Sequence, residues 1–355
     1  MECSMSILSV SSGPTAVPVF IADFGTAFEG AARVSDWSDF RGVAGGGAIP
    51  GVTDRVLRGY FENGGGHCYL ANTAGKTARE ALAEVEAFDE VTILVPLGLW
   101  NNGADAAGDT ARAVTAYAAA HRAMAILHAH QDCDARQARE AARSFKLDAD
   151  QSAHAALYHP WLIPSGDGAQ PVPPVGAVAG VWCQVDGRHG VWKAPVNVTV
   201  QGIARPSQAV ADKEQGEAQP VDILREFEGR GTTVWGTRTL NETDERWKYI
   251  PVRRLADTVE RDLQKGFVFA MFEPNTQPTW EKLRSEADAY LRALWKKGGL
   301  QGTKPEEAYS VQIGQGLTMT EEDVKAGRIV MKVGLAAVRP AEFIPATVTV
   351  TADRT

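Results

Sequence analysis

The sequence predicts an α/β fold in two domains, and three observations carry that expectation. Strand-like and helix-like segments alternate between residues 67 and 145, a polar stretch interrupts the pattern near residue 200, and two amphipathic helices with strands of their own follow. At 355 residues, with 44% hydrophobic and 23% charged content, the chain has material for two cores without disulfides or metals. Its 36 Lys and Arg against 44 Asp and Glu leave a net charge of −8, which argues against a nonspecific nucleic-acid binder.

The elements follow in order. In GPTAVPVFIA (13–22), Val17, Val19 and Ile21 alternate with Pro18, Phe20 and Ala22, the period of a strand. Pro14 and Pro18 bring no amide donors, so an edge strand, or one donated to a neighbour, is expected. A Gly-rich run (42–51) leads into the helix DRVLRGYFE, which Gly64, Gly65 and Gly66 end. The alternation then reads strand HCYLA (67–71), helix 77–88, buried strand 91–96, Ala-rich helix 105–120, strand AMAILHAH (123–130) and helix 134–145. The segment 157–180 reads as a strand, a Pro/Gly loop and a new helix start. ARPSQAVADKEQGEAQP (204–220) is polar, and the domain change is placed between Asn197 and Pro220.

Beyond it, Pro251 suits a first helical turn, and Val252, Leu255, Val259 and Leu263 form one stripe until Lys265 and Gly266. Thr279 is expected to cap a second helix lined by Trp280, Leu283, Ala287, Leu291 and Leu294 and stopped by Gly298 and Gly299. Strands FVFAMF (267–272), AYSVQI (308–313) and RIVMKVGLA (328–336) are expected to cover both helices. AEFIPATVTV (341–350) reads as a last strand, with Ile344, Ala346, Val348 and Val350 facing one way and Phe343, Thr347 and Thr349 the other. It has to pair with an edge of its own fold or of a neighbour's.

Chemistry is sparse. Cys3, Cys68, Cys133 and Cys183 form no CxxC pair and read as free thiols of a reducing cytoplasm. The N-terminus lacks a basic segment followed by a long apolar core, and no window approaches the ~18 apolar residues of a membrane span, so cytoplasmic synthesis is expected. ANTAGKT mimics a phosphate loop through Gly75, Lys76 and Thr77, but Leu70 stands where the first glycine belongs, and Lys76 reads as a solvated residue at a helix start. His128 and His130 share a strand face near Cys133 and His121, without the paired spacing of zinc sites. His154 and His159 show no acidic partner in sequence. No GxSxG, HExxH or strand-linked GxGxxG occurs, and no catalytic residue, cofactor or metal is expected. Glu273 reads as part of a turn with Pro274 and Asn275, paired with Arg238, Arg253 or Arg254. Trp235, Trp247 and Trp280 lie beside core-period positions. Arg292, Lys296 and Lys297 suit a helix C-terminus and also form a positive patch for an acidic partner.

Several segments stand in a telling order: YFENGGGHCYLAN (60–72), LYHPWLIP (157–164), VPPVGAVAGVWCQVDGRHGVWKAPVN (172–197), GTTVWGTRTL (231–240), WKYIPVRRL (247–255), FEPN (272–275), LWKKGGLQG (294–302) and VGLAAVRPAEFI (333–344). Together they resemble the phage tail sheath family. The resemblance implies a structural subunit of an α/β, two-domain kind with β-strand arms at both ends. It implies a helical homopolymer of stacked six-fold rings around an inner tube protein, extended and metastable until it contracts and drives the tube through an envelope. Its expected parts are an N-terminal arm (1–22), an outer α/β domain (23–200), an inner, tube-facing core (201–338) and a C-terminal arm (339–355). Pro14, Val17, Val19, Ile21, Phe343, Ile344, Val348 and Val350 would carry the strands exchanged between subunits. Arg292, Lys296 and Lys297 would meet the tube, and Trp235, Arg238, Trp247, Arg253, Arg254, Glu273, Pro274 and Asn275 would form the core motif. Baseplate and tail-terminator proteins are the other implied partners; nucleic acid and membrane insertion are not. The chain has no room for large outer decorations, which resembles the compact sheaths of phage-tail-like particles and extracellular contractile injection systems. The competing readings are a phosphate-loop-like enzyme using Lys76 and an α/β scaffold that does not polymerise.

Overall fold

The computed structural model describes residues 10–45, 51–166, 169–337 and 343–351. They form two compact units, Pro14–Arg254 and, separately, residues 10–13 with 255–351.

The larger unit carries β1 (Pro18–Ala22), β2 (Ala31–Val34), β3 (Cys68–Asn72), β4 (Ile93–Pro96), β5 (Met124–His128), β6 (Ala155–His159), β7 (Leu162–Pro164), β8 (Val198–Thr199), β9 (Ile203–Pro206), β10 (Asp222–Phe227) and β11 (Gly231–Val234). Nine of them make one sheet in the order β2-β3-β1-β4-β5-β6-β10-β11-β8. The run from β3 to β10 is parallel. β2 at one end, and β11 with β8 at the other, join antiparallel. Its helices are α1 (Trp37–Val43), α2 (Gly51–Glu62), α3 (Ala78–Ala83), α4 (Gly103–His121), α5 (Ala135–Ser144), α6 (Ala149–Ala153), α7 (Val175–His189) and α8 (Asp212–Ala218).

Both faces of this sheet are covered, so its central strands are apolar on both sides. Val19, Ile21, Leu94, Leu127 and Leu157 pack with α3, α4 and α5, while Phe20, Leu70, Ile93, Ile126 and Tyr158 pack with α2 and α7. Helix α7 lies unusually close to α2. A Cβ on Gly176 would strike the Val56 carbonyl and one on Gly180 the Tyr60 carbonyl, so only glycine permits that approach.

Helix α9 (Ile250–Gly266) carries the chain across the division between Arg254 and Leu255. The smaller unit adds α10 (Gln277–Lys296), α11 (Pro305–Ala308), α12 (Glu321–Lys325), β12 (Tyr309–Ile313), β13 (Arg328–Ala336) and β14 (Phe343–Thr351). The three strands form an antiparallel sheet with β13 in the middle. The stripe Val252, Leu255, Val259 and Leu263 is buried as its spacing requires, and so are Leu283, Ala287, Leu291 and Leu294.

Four expectations need correction. The strand at Pro18–Ala22 is neither an edge nor an arm: β3 and β4 flank it in register, and Val17, Val19 and Ile21 are buried. Pro18 is tolerated because it is the first residue of the strand, and apolar residues on both sides were the signal of a central parallel strand. The division does not fall between Asn197 and Pro220, because β10 continues the parallel sheet beside β6 and β11 and β8 extend it; the polar stretch holds β9 and α8 instead. FVFAMF is a short 3-10 helix over Val268–Phe272 rather than a strand. Thr276, not Thr279, stands at the N-cap of α10, and the Thr279 hydroxyl donates to the Pro274 carbonyl at 2.7 Å.

Candidate assembly surfaces and buried anchors

The core motif divides between the two units. In the larger one, Arg254 forks onto Asp186, Nη1 donating to Oδ1 at 3.0 Å and Nη2 to Oδ2 at 2.7 Å. Nη2 also donates to the Thr15 carbonyl at 2.9 Å, and the guanidinium lies 4.6 Å from the Trp182 ring centroid. Both charged side chains are buried, so the geometry of the fork and its extra acceptor offset the desolvation of two ions. Arg253 stacks 3.8 Å from the Trp247 ring centroid. The Arg238 amide donates to Asp222 Oδ1 at 2.8 Å, and its guanidinium lies 5.8 Å from the ring of Tyr249. Trp235 is not a core residue: it is 38% exposed, with its ring 4.8 Å from Phe227.

In the smaller unit, Asn275 is a hub. Its Nδ2 donates to the carbonyls of Val324 at 3.2 Å and Arg328 at 3.1 Å, while its Oδ1 accepts from Trp280 Nε1 at 2.7 Å. Glu273 is exposed and makes no ion pair among the described residues; the buried partner of Arg254 is Asp186. A second anchor, missed in the sequence, is Asp262. Its Oδ1 accepts from the Gly13 amide at 3.1 Å and its Oδ2 from the Tyr290 hydroxyl at 2.7 Å. Burial raises the carboxyl's pKa, and those hydrogen bonds oppose the rise. Each anchor left a trace: Asp186 interrupts the apolar run VGAVAGVWCQV, and Asp262 sits three residues after Val259 on the apolar stripe of α9.

Arg292, Lys296 and Lys297 are exposed at the end of α10, with Arg292 Nε 3.6 Å from Asp288. Beside them an open groove runs between α10 and β12, lined by Arg284, Asp288, Arg292, Ser310 and Gln312. Among the described residues, strand β12 pairs with β13 on one side only. The last strand, which contains Phe343, Ile344, Val348 and Val350, pairs along all nine residues with β13 of the same chain. Val268, Phe272 and Leu317 are exposed apolar residues of this unit.

The remaining candidates are absorbed locally. Lys76 bonds Glu84, and Thr77 caps α3 in a capping box with Glu80. His121 stacks on Tyr117, and His154 Nδ1 lies 2.8 Å from the Asp150 carbonyl. Desolvation pulls the pKa values of His128 and His159 down to about 4. Among the described residues no three His, Cys, Asp or Glu side chains converge as metal ligands, and no helix is long and apolar enough to cross a membrane.

Residues 242–351 match the family model of the phage tail sheath C-terminal domain. The PVC sheath of an extracellular contractile injection system, in its contracted state, is 40% identical with a TM-score of 0.80, the match covering 95% of this chain and 92% of that one. The contracted helical sheath of the anti-feeding prophage is 34% identical with a TM-score of 0.76 over 95% and 93% of the two chains. The tail sheath protein of Vibrio phage KVP40 is 25% identical over 134 residues, 36% of this chain and only 20% of that longer relative. Identity of this depth along nearly the whole of both chains goes beyond a shared fold: the chain belongs to the contractile tail sheath family and is a structural sheath subunit.

Proposed function

We propose that this subunit polymerises as stacked, six-fold helical rings around an inner tube and contracts to drive the tube through a target envelope. It assembles in the bacterial cytoplasm, with a baseplate at one end and a terminator at the other, in a phage tail or a released tail-like particle. Its work is mechanical and uses no catalytic site. The observation that carries the reading is the smaller unit's sheet: among the described residues, β14 lies on one edge and a five-residue strand, β12, is unpaired on the other side. Such edges supply main-chain hydrogen bonds to a neighbour, and a head-to-tail contact that does not close grows into a filament. Contraction then needs two packings of the same subunits, the extended one held by a barrier.

In this reading β14 is given to a neighbour in the register it takes on its own β13. Exchange at the other end falls to residues before Val10, which lie outside the described residues, because Pro18–Ala22 is locked in the larger sheet. The smaller unit faces the tube and the larger one lies outside, with Arg292, Lys296 and Lys297 meeting an acidic tube surface. Deleting Ala341–Thr355 should leave a folded, soluble protein that builds no long sheaths. Normal filaments from that truncation in negative-stain images would remove the arm assignment. Reversing the three charges should abolish tube-templated assembly, and unaltered assembly would remove the tube contact.

A further inference from the structure

The parallel strands of the larger unit run in the order β3-β1-β4-β5-β6. The chain therefore places β3 on one side of β1 and then crosses to place β4 on the other. In open parallel sheets the crevice beyond the carboxyl ends of the two strands at such a reversal is where ligands settle, because the connecting loops part there. A cavity of ≈ 620 Å³ lies at that point, lined by Ala22 at the end of β1, Leu97 and Gly98 after β4, and His128 at the end of β5.

Its walls are built rather than incidental. Trp100 and Trp161 both line it, and their indole N–H groups donate to successive carbonyls, of His128 and Ala129, each at 2.9 Å. Those bonds fix the two rings in place. His128 is 1% exposed; its Nδ1 lies 3.0 Å from the Ala129 carbonyl, which assigns the proton to Nδ1 and leaves Nε2 a bare acceptor. Among the described residues no group partners that Nε2, and none partners Nε–H of Arg55, which also lines the cavity. An orphaned buried acceptor and an orphaned donor around one cavity call for a ligand that is both donor and acceptor.

We propose that this cavity binds a neutral sugar of pyranose size, its ring against Trp100 and Trp161 and its hydroxyls shared among His128, Arg55 and Asn101. A hydroxyl gives a proton to Nε2 and accepts one from Arg55, and the apolar face of a pyranose suits an indole wall. Charge excludes the obvious competitor: Asp23 and Asp132 line the same cavity against one arginine, so a phosphate or other anion meets net repulsion. The polymer reading makes no use of this site, and neither depends on the other.

The test titrates the purified full chain with glucose, galactose, mannose and N-acetylglucosamine, following tryptophan fluorescence and saturation-transfer NMR. A saturable response to at least one of them is expected, in the millimolar range. Asn101→Ala, at an exposed position, and Arg55→Ala should each weaken it roughly tenfold, the effect of one lost hydrogen bond. Both variants should keep the parent's melting temperature and build sheaths of normal length. No saturable response to any of the four sugars overturns the proposal. So does an affinity unchanged in both variants, or tighter binding of inorganic phosphate than of every sugar.

Discussion

The two sheets of this molecule treat their edges in opposite ways. The nine-stranded sheet ends in β2, of four residues, and β8, of two, so it offers little template to another chain. The three-stranded sheet ends in β12, of five residues, and β14, of nine, which are long edges for so small a sheet. Among the described residues, the larger sheet ends in short strands and the smaller in longer ones whose outer edges are unpaired. The proposed function then puts stability and assembly in different parts of the subunit, and on that proposal substitutions should sort accordingly.

The largest effect is expected from Arg254→Ala in the larger unit. It leaves the Asp186 carboxylate buried without a counter-charge and the Thr15 carbonyl without that donor. Breaking one half of a buried pair costs about 3–5 kcal/mol, read in urea as a lower midpoint at unchanged slope. A loss within the range of surface substitutions would break the assignment of stability to this unit.

How legible this was depended on whether a signal was local. The central helices and strands could be read because hydrophobic period and caps lie close together in sequence: Asp134 with Gln137 closes the capping box of α5, and Thr77 with Glu80 that of α3. The place of β1 could not be read from its prolines, since whether a strand is central depends on β3 and β4, which arrive much later in the chain. The anchors share that difficulty. Asp186 and Arg254 are 68 residues apart, and Gly13 and Asp262 are 249 apart, separations that no periodicity connects. Asn275 was singled out as a turn residue, and its role as a hub emerges only when α12 and β13 present their carbonyls to it.

The next effect belongs to the smaller unit. Asp262→Ala strips the acceptor from both the Gly13 amide and the Tyr290 hydroxyl, and two orphaned donors should cost about 1–3 kcal/mol in the same urea measurement. Asp262→Asn keeps an acceptor for Gly13 and should recover most of that loss. If the alanine variant matched the wild type, Asp262 would not anchor this unit, and its stability would have to be sought in contacts such as those of Asn275.

A smaller change, in pH slope rather than midpoint, is expected at Asp222. The carboxyl is buried, and desolvation holds its pKa well above the ordinary aspartate value, against the opposing bond from the Arg238 amide. The folded state therefore binds this proton more tightly than the unfolded state. Its contribution is fully present below the ordinary aspartate pKa and is lost as pH rises from there through the raised folded value. Asp222→Asn should flatten that part of the stability–pH curve, measured by thermal melts across acidic to neutral pH. An unaltered slope would show that another group carries it.

The smallest effect on the fold should come with the sharpest effect on assembly. Ser310 and Gln312 are exposed residues of β12, two apart and so on one face of an edge strand, and both line the groove against α10. Replacing both by Lys adds charge where a neighbour's strand would have to pair, the device by which natural sheets protect their edges. Because neither side chain is buried, the monomer's stability should move by less than about 0.5 kcal/mol. Under conditions where the wild type forms sheaths, the double variant should sediment as small species and show no filaments in negative stain. A large loss of stability would mean that the β12 face is part of the unit's core rather than an open edge. Filaments of normal length would mean that growth uses a surface other than this edge, and the contrast between a closed sheet and an open one would lose its functional meaning.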